Sequence, residues 1–480
     1  MSKILDALSD LARSRPQAEL LIDERALTAA AANDAVATMT DALVRQGAKR
    51  VAAALDNGVP AVVLDLACRA AGIPLLPLPG FFTASQRGHA LQDAGIDTVV
   101  SGEGEHDLGL GLKLRRLPQR PVPLHEGTAV ITYTSGSTGA PKGVCLAGDH
   151  LDRVASSLVM ALGAAAPRRH LALLPLGVLL EAVAGVSAGL LAGAQILLPS
   201  LNDVGWRGAA AIDGMALARC IDRHAPESLI LVPQMLRAWL DALDAGATLP
   251  RSLRFCAVGG ARVGSALLAR AAARGIPLFE GYGLSECASV LSLNVPGAVR
   301  SGSVGRGLAH TRLVVEDDEI VALGPQFLGY VGSPASSTQR YATGDLGRID
   351  SDGFVHLAGR RGHRFITAFG RNVSPEWIES ELAAHPLIAQ AFVDGEARAA
   401  NVAVIVPRAG ISERSVDQAV ATVNEGLPDY ARAHCWLLAD EAFSVGNGEA
   451  TANGRLRRGV ILGRYRPRID QLSPATQETA

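Results

Sequence analysis

Residues Thr132-Tyr133-Thr134-Ser135-Gly136-Ser137-Thr138-Gly139-Ala140-Pro141-Lys142-Gly143 set the architecture that we expect for this 480-residue chain. Three hydroxyl side chains, Ser135, Ser137 and Thr138, stand among glycines and between two apolar segments. Such a loop can offer backbone N–H groups and hydroxyls to phosphate oxygens, with Lys142 as a point charge. We predict a phosphate-binding hairpin here rather than a flexible Ser/Gly linker, because linkers rarely join two apolar strands.

This loop differs from the P-loop of many nucleotide-binding proteins. A P-loop needs glycine directly before the lysine, serine or threonine directly after it, and then a helix. Here Pro141 precedes Lys142, Gly143 follows it, and Val144-Cys145-Leu146 has the composition of a strand. The sequence therefore predicts a phosphate loop of another type.

Short strands alternate with helices on both sides of the loop. This alternation predicts an α/β fold, in which a large N-terminal domain holds stacked, mostly parallel sheets with crossover helices. The predicted helices lie at 28–46, 59–71, 83–94, 234–244 and 265–274, and the predicted strands at 51–55, 73–78, 98–100, 228–233, 253–258 and 276–279.

The pattern changes past residue 300. Short apolar runs around 312–321 and 353–357, separated by Gly, Asp and Pro, are typical of a small antiparallel barrel or meander. The last segment indicates a separate small α+β domain, with a helix that begins at Ser374-Pro375-Glu376, where the serine is expected to cap the free amides. We expect domains at 1–359 and 360–480.

Composition excludes several classes of protein. Hydrophobic residues make up 48% of the chain and charged residues 19%, with a net charge of −2, so neither wholesale disorder nor a basic nucleic-acid-binding surface is expected. The six cysteines are scattered without a CxxC pair, which favours free thiols in a reducing compartment over a zinc site. Charge soon after the N-terminus argues against a signal peptide, and we expect a cytoplasmic protein.

One apolar stretch has the length of a membrane span. Residues 171–199 carry a single charge, Glu181, and are interrupted by Pro175. Basic clusters do not mark both of its ends, as they would for a stop-transfer segment. We predict a buried helix followed by a core strand at 194–198 and no membrane span.

The hydroxyl-rich loop resembles the phosphate-loop signature of the adenylate-forming superfamily: acyl-CoA synthetases, aryl-acid ligases, peptide-synthetase adenylation domains and beetle luciferases. The resemblance extends from about residue 18 to about 466. It implies binding of ATP, Mg²⁺ and a small carboxylic acid, with a mobile C-terminal lid that swivels on a hinge near 360–363. It assigns the phosphates to Thr134, Ser135, Gly136, Ser137, Thr138, Gly139 and Lys142.

Further motifs of the family follow in the expected order. Gly259-Gly260-Ala261 resembles the turn that contacts adenine. Gly281-Tyr282-Gly283-Leu284-Ser285-Glu286 resembles the motif whose tyrosine stacks on adenine and whose glutamate holds magnesium, here together with Thr138. We expect both motifs to form loops after strands, where ligands gather in open α/β sheets.

The later motifs imply contacts to ribose and to the thiol substrate. Asp345, in Tyr341-Ala342-Thr343-Gly344-Asp345, resembles the residue that accepts from the ribose hydroxyls, a role that suits a group with only acceptors. Arg360 resembles the arginine that reaches the nucleotide. Gly370 matches the glycine beside the pantetheine tunnel, where a side chain would narrow the passage.

The sequence departs from the family pattern at two positions. The hinge position, usually Asp or Lys, is Gly362, which can still absorb a large change of φ and ψ. Arg455, in Thr451-Ala452-Asn453-Gly454-Arg455, replaces the lysine that relatives use in adenylation, and no lysine follows Lys142. Either Arg455 bridges the carboxylate and phosphate oxygens, or adenylation is weakened or lost; we favour retained activity, with Arg455, Thr138, Lys142 and Glu286 as the catalytic residues.

The acid substrate is expected to be apolar. The residues that match the acyl pocket of relatives, Met235, Val258, Gly259, Leu284, Ala288 and Val290, offer no charge for an amino acid. We predict a fatty-acid–coenzyme A ligase, with an aromatic acid as a further option. The alternatives are a ligase that loads the phosphopantetheine of an acyl carrier protein, and a nucleotide-binding protein without turnover. Arginines at 455–458 and 464–468 would suit either acceptor, or form a solvated face.

Overall fold

A computed structural model describes residues 2–473 except 81, 119–121, 136–140, 208–210, 337–338 and 452–453. The chain divides into two compact units. The large unit comprises the chain up to Gly260, Ile276–Val314 and Val321–Tyr341; the small unit comprises Ala261–Gly275, Val315–Ile320 and the chain from Ala342 onward. The expected domain boundary at 359/360, with its hinge at 360–363, stays a prediction.

The helices and strands of the described residues are numbered along the chain. The α-helices are α1 (Lys3–Ser14), α2 (Ala29–Arg45), α3 (Val59–Ala71), α4 (Ala84–Asp93), α5 (Gly148–Leu162), α6 (Ala188–Leu191), α7 (Leu201–Val204), α8 (Gly214–His224), α9 (Pro233–Asp244), α10 (Ser265–Ala273), α11 (Pro375–Ala384), α12 (Glu413–Glu425) and α13 (Arg458–Leu472). The strands are β1 (Glu19–Ile22), β2 (Ala26–Thr28), β3 (Val51–Ala53), β4 (Leu75–Pro77), β5 (Thr98–Ser101), β6 (His106–Gly109), β7 (Leu112–Arg116), β8 (Thr128–Ser135), β9 (Pro141–Ala147), β10 (Arg169–Leu171), β11 (Gln195–Leu197), β12 (Trp206–Arg207), β13 (Ala211–Ile212), β14 (Ser228–Leu231), β15 (Phe255–Val258), β16 (Leu278–Leu284), β17 (Ser289–Leu293), β18 (Arg306–Gly307), β19 (Arg312–Glu316), β20 (Glu319–Leu323), β21 (Gly329–Tyr330), β22 (Arg340–Ile349), β23 (Val355–Arg360), β24 (Phe365–Ile366), β25 (Asn372–Val373), β26 (Ile388–Asp394), β27 (Asn401–Pro407) and β28 (Ala433–Leu438).

Local chemistry fixes where the predicted helices begin and end. Thr28 caps α2 by accepting from the N–H of Ala31, and Thr83 caps α4 in a reciprocal capping box with Gln86. Helix α3 ends at Gly72, whose φ of +66° is a left-handed conformation that glycine adopts without strain. These helices lie within one residue of their predicted bounds at each end.

Two large sheets form the large unit. One runs in the order β21-β9-β8-β4-β3-β5-β7-β6, and the other in the order β18-β17-β16-β15-β14-β10-β11-β1-β2. Their central pairs are parallel, as crossover helices require, and the antiparallel pairs lie toward the edges. The predicted fold, with mostly parallel sheets in a large N-terminal part and a smaller α+β C-terminal part, is confirmed.

The sheet β26-β27-β28 of the small unit has a core on both faces. On β27, Val402, Val404 and Val406 pack with Ile461 and Tyr465 of α13. The alternate residues Ala403 and Ile405 pack with α11 and α12. This two-residue alternation is the geometry of a strand covered on both sides. The predicted barrel-like part is a four-stranded sheet, β19-β20-β22-β23.

The apolar stretch 171–199 contains a buried helix and a strand, as predicted. A π-helical segment, Leu180–Ser187, continues into α6, and β11 follows. Its one charge, Glu181, is fully buried and accepts hydrogen bonds from His170 Nε2 (2.8 Å) and from the N–H groups of Leu173 and Leu174 (3.1 and 2.9 Å). Among the described residues, no helix combines the length and the apolar character that crossing a membrane requires.

Two local expectations are wrong. The Gly281–Leu284 segment is not a loop: β16 continues through it, because antiparallel β17 offers hydrogen-bond partners along that length. Ser374 does not cap the amides of α11, since its hydroxyl instead donates to the carboxylate of Glu376 at 3.1 Å.

The return from β16 to β17 is tight and strained. Ala288 and Ser289, with φ of +59° and +106°, adopt backbone conformations that residues other than glycine rarely adopt. A Cβ on Gly283 would lie 1.7 Å from the carbonyl oxygen of Ser289. Glycine at residue 283 is therefore required for the chain to fold back at this distance.

We expect Gly283→Ala to destabilise the large unit by about 3 kcal/mol, because a backbone atom blocks the added methyl group. The free energy of unfolding in urea, followed by tryptophan fluorescence, measures the loss. Gly88→Ala, in α4 with no atom within 4 Å of the new Cβ, is the matched control and should be neutral or stabilising. Equal stability of the two variants would contradict this account.

Two histidines make the large unit sensitive to acid. The His150 and His310 rings lie 6.3 Å apart, and burial lowers the pKa of each to about 4. Since the unfolded chain binds these protons near the ordinary pKa of 6.5, stability is complete above that pH and falls as the pH drops toward 4. Between pH 7 and pH 4.5, we expect the free energy of unfolding in urea to fall for both proteins. The fall for His150→Gln should be smaller than that for wild type by on the order of 2 kcal/mol. Exposed His434→Gln is the control, and parallel losses in wild type and His150→Gln would contradict the prediction.

Candidate active site

The predicted phosphate loop joins two paired strands. β8 and β9 are antiparallel, with Thr134 opposite Lys142 and Ser135 opposite Pro141, so the segment is a hairpin as predicted. Gly136, Ser137, Thr138 and Gly139 lie outside the described residues. The register places Lys142 at the base of the hairpin, with its side chain exposed.

Lys142 lies against an aromatic ring that the sequence analysis did not identify. Its Nζ is 5.4 Å from the centroid of the Tyr330 ring, within the range of a cation–π contact. Strand β21 pairs with β9 so that Tyr330 is opposite Val144, which makes Lys142 its diagonal neighbour. Tyr330 is about 190 residues further along the chain, so only the strand pairing could reveal the contact.

Glu286 is linked to the same tyrosine. It lies in a short 3₁₀ turn, Ser285–Cys287, which includes the predicted Ser285. The Tyr330 hydroxyl donates to Glu286 Oε1 at 3.1 Å, and the N–H of Phe327 donates to the Glu286 carbonyl at 2.8 Å. Burial, followed by the charge of Glu286, raises the pKa of Tyr330 to about 12, so the hydroxyl stays protonated and remains a donor.

The donor set at Glu286 fits a magnesium ion. Among the described residues, Oε2 of this carboxylate has no hydrogen-bond partner, and carboxylate oxygens are the ligands that Mg²⁺ prefers. Thr138, the other predicted ligand, lies outside the described residues. Aromatic rings back the site: Phe327 packs edge-on against Tyr330 and Tyr341, at 4.8 and 5.8 Å between centroids.

The two predicted adenine motifs lie side by side. β15 and β16 are parallel with Val258 opposite Glu280, so Gly259 follows next to Gly281. A Cβ on Gly259 would lie 3.1 Å from the Gly281 carbonyl oxygen, a tight contact that the absence of a side chain avoids. Gly260, with φ of +82°, then turns the chain toward Ala261.

The predicted adenine-stacking residue and the predicted acyl pocket are mostly enclosed. Tyr282 is only 9% exposed and lies opposite Ser292 on β17. The side chains that match the acyl pocket are all buried and apolar: Met235, Val258, Leu284, Ala288 and Val290.

In the small unit, the two predicted nucleotide-binding charges pair with each other. Arg360 Nε lies 2.8 Å from Asp345 Oδ1, because β22 and β23 place the two residues directly opposite. Asp345 is buried, and its N–H donates to Thr343 Oγ1 at 3.1 Å. The structure therefore brings together two residues that the sequence placed in separate motifs.

Gly370 lies at the turn between β24 and β25. Its φ is +70° and its N–H donates to the carbonyl of Thr367 at 2.8 Å. A Cβ here would meet no atom within 4 Å, so the left-handed conformation, rather than crowding, accounts for the glycine in this structure. Its role beside a pantetheine tunnel stays a prediction.

Arg455 is exposed at the end of a tight turn. The N–H of Thr451 donates to the Arg455 carbonyl at 2.7 Å, and the N–H of Arg455 donates to Thr451 Oγ1 at 3.0 Å. Ala452 and Asn453, between them, lie outside the described residues. One backbone–backbone bond and one backbone–hydroxyl bond thus fix the main chain from which the Arg455 side chain extends.

Two arginines of α13, Arg464 and Arg468, have acidic partners. Arg464 lies 3.0 and 3.1 Å from Glu441 and Glu449, and Arg468 lies 2.8 Å from Asp440. These pairs favour a solvated, internally neutralised face over a basic docking surface at 464–468.

Comparison with known proteins identifies the family. The chain matches the AMP-binding enzyme family over residues 8–330 and the AMP-binding enzyme C-terminal domain over residues 363–476. It is 30% identical over 417 residues to a long-chain-fatty-acid–CoA ligase of Mycobacterium bovis, covering 72% of this chain and 69% of the relative. It is 28% identical over 413 residues to a 2-succinylbenzoate–CoA ligase of Bacillus cereus, covering 78% and 81%.

Solved structures share the fold. An o-succinylbenzoate CoA synthetase of Bacillus subtilis, in complex with its acyl-adenylate intermediate, aligns with a TM-score of 0.76 at 23% identity and covers 96% of this chain and 97% of its own. The anthranilate CoA ligase AuaEII, in complex with anthranoyl-AMP, aligns with a TM-score of 0.80 at 19% identity and covers 97% of each chain. With the matches to both family domains, the chain belongs to the AMP-binding enzyme family, as its hydroxyl-rich hairpin predicted.

Proposed function

We propose that the protein is an acid–thiol ligase that activates an apolar carboxylic acid with ATP and transfers the acyl group to coenzyme A. The observation that carries the proposal is the link from Lys142, at the base of the phosphate hairpin, through Tyr330 to Glu286. This arrangement places a cation and a carboxylate at one site. Membership of the AMP-binding enzyme family and relatives named as CoA ligases support the same activity.

The first half-reaction joins the acid to AMP. A carboxylate oxygen attacks the α-phosphorus of ATP, a new oxygen–phosphorus bond forms, and the bond to pyrophosphate breaks. Because the reacting groups are all anionic, donors and cations must offset their repulsion. Lys142 and the hydroxyls of Ser135, Ser137 and Thr138 would hold the phosphates, and Asp345 would accept from the ribose hydroxyls, beside Arg360.

Glu286 and Thr138 would hold Mg²⁺, which when bound neutralises phosphate charge. The second half-reaction forms the thioester: the thiol gives its proton to solvent, its sulfur bonds to the acyl carbonyl carbon, and the carbon–oxygen bond to AMP breaks, so that AMP leaves with the electron pair. Arg455 would support the first half-reaction, and Gly370 would leave room for the thiol arm in the second.

The acid is proposed to be a fatty or aromatic acid. The side chains that match the acyl pocket are apolar and buried, so a charged substituent would lose its hydration there without a partner. The relatives named above act on a long-chain fatty acid and on 2-succinylbenzoate, which spans both options. An acyl carrier protein is the alternative acceptor, although the paired arginines at 464 and 468 offer little free positive charge for it.

A panel of fatty and aromatic acids tests the activity. We expect pyrophosphate release and an acyl-AMP, detected by mass spectrometry, with at least one apolar acid, and thioester formation after addition of coenzyme A. Amino acids are the negative control. Bound ATP without acyl-AMP across the whole panel would favour a nucleotide-binding protein without turnover. A thioester that forms only on a carrier protein would favour a ligase that loads an acyl carrier protein.

Arg455 is expected to support adenylation. Arg455→Ala should slow pyrophosphate release by about 100-fold, since a group that meets charge in the transition state is lost, while Arg455→Lys should keep most of the activity. Arg466→Ala, an exposed arginine on α13, is the control. Equal rates for wild type and Arg455→Ala would remove Arg455 from the reaction.

A further inference from the structure

Tyr330 contacts two charged groups of the proposed site at once. Its ring faces Lys142, with Nζ 5.4 Å from the centroid, and its hydroxyl donates to Glu286 Oε1 at 3.1 Å. We propose that Tyr330 is a positioning residue, whose hydroxyl orients the Glu286 carboxylate toward a nucleotide-bound divalent cation while its ring holds the Lys142 ammonium at the phosphate hairpin. The identity of the ligand rests on the proposed function.

The backbone holds Tyr330 firmly enough for this role. Leu328 and Val331 donate their N–H groups to the carbonyls of Cys145 and Gly143, each at 2.8 Å, which locks the segment onto β9. The Tyr330 carbonyl lies 3.0 Å from Nε2 of His125. The edge-on packing of Phe327, 4.8 Å between centroids, limits rotation of the ring. The ring position is therefore set before any ligand binds.

The hydrogen bond distinguishes the two oxygens of Glu286. Oε1 accepts from Tyr330, and among the described residues Oε2 has no partner, so Oε2 is the oxygen left for a cation. Groups that hydrogen-bond to a metal ligand fix its orientation, and their loss typically weakens metal binding about 10–100-fold. The Tyr330 ring has a separate effect: it restricts the position of the Lys142 ammonium, which its flexible stem would otherwise let move widely.

Substitution can separate the hydroxyl from the ring. Tyr330→Phe removes the hydroxyl with its hydrogen bonds to Glu286 and to the Tyr341 hydroxyl, whereas the backbone bonds, the contact with Phe327 and the ring face toward Lys142 stay. Tyr330→Leu removes the ring face as well. Glu286→Gln removes the anionic carboxylate, and the double variant Tyr330→Phe/Glu286→Gln shows whether the two residues act together.

The experiment measures ATP binding by isothermal titration calorimetry, with Mg²⁺ and with EDTA, and the Mg²⁺ dependence of pyrophosphate release. We expect Tyr330→Phe to raise the half-saturating Mg²⁺ concentration about tenfold and to leave metal-free ATP binding unchanged. Tyr330→Leu should weaken metal-free ATP binding too. Tyr465→Phe is the matched control, since it removes a tyrosine hydroxyl that accepts from the Asp440 N–H in the small unit.

In the Glu286→Gln background, Tyr330→Phe should have no further effect on Mg²⁺ dependence, a result that a purely structural role would not give. A wild-type Mg²⁺ dependence in Tyr330→Phe, or a full additional effect in the double variant, would overturn the proposal. If no acid supports pyrophosphate release, the ligase function fails while the calorimetric comparison still tests Tyr330. Failure of the wild type to bind Mg²⁺·ATP would overturn both the ligase function and the positioning role of Tyr330.

Discussion

The pairing of β9 with β8 on one side and β21 on the other is the constraint on which the candidate site depends. The β8 ladder closes the phosphate hairpin and places Lys142 at its base. The β21 ladder brings Tyr330 diagonally next to Lys142, and through its hydroxyl next to Glu286. Because strand register fixes side-chain positions to within a residue, these two ladders and the Tyr330 hydroxyl bring together groups from distant parts of the chain.

The turn between β16 and β17, which contains Glu286, has a strained backbone. Glu286 precedes two residues with positive φ, Ala288 and Ser289, each of which costs of order 1–3 kcal/mol. Such a conformation persists where the surroundings determine it, here the close return of the chain over Gly283. The approach of the Ser289 carbonyl thus explains the glycine at residue 283, and the strained turn lies directly after Glu286 in the chain.

The arginines of the small unit lie in different surroundings. Arg360 pairs with Asp345, and Arg464 and Arg468 pair with acidic residues of their own unit, so their charges are balanced locally. Arg455 is exposed and extends from a turn that a hydrogen bond to Thr451 fixes. Its planar guanidinium can bridge two oxygens, whereas the lysine of the matching family motif would offer one point charge. The two side chains would therefore bind the same oxygens in different ways.

The sequence by itself determined the α/β fold, the hairpin around Lys142 and the family, because alternating strands, capping residues and the hydroxyl-rich loop are local signals. It also identified Glu286, Asp345 and Arg360 as candidates. It did not reveal that β16 runs on to Leu284, that Ser374 bonds Glu376 rather than the helix amides, or that Tyr330 joins Lys142 to Glu286. Ser374 lies only two residues from Glu376, and the pattern of a helix start does not show that the hydroxyl donates to that carboxylate instead of accepting from an amide. Only the tertiary structure decided the extent of β16 and the contacts of Tyr330, since each depends on which distant strand or side chain offers a hydrogen bond, and no local pattern encodes that partner.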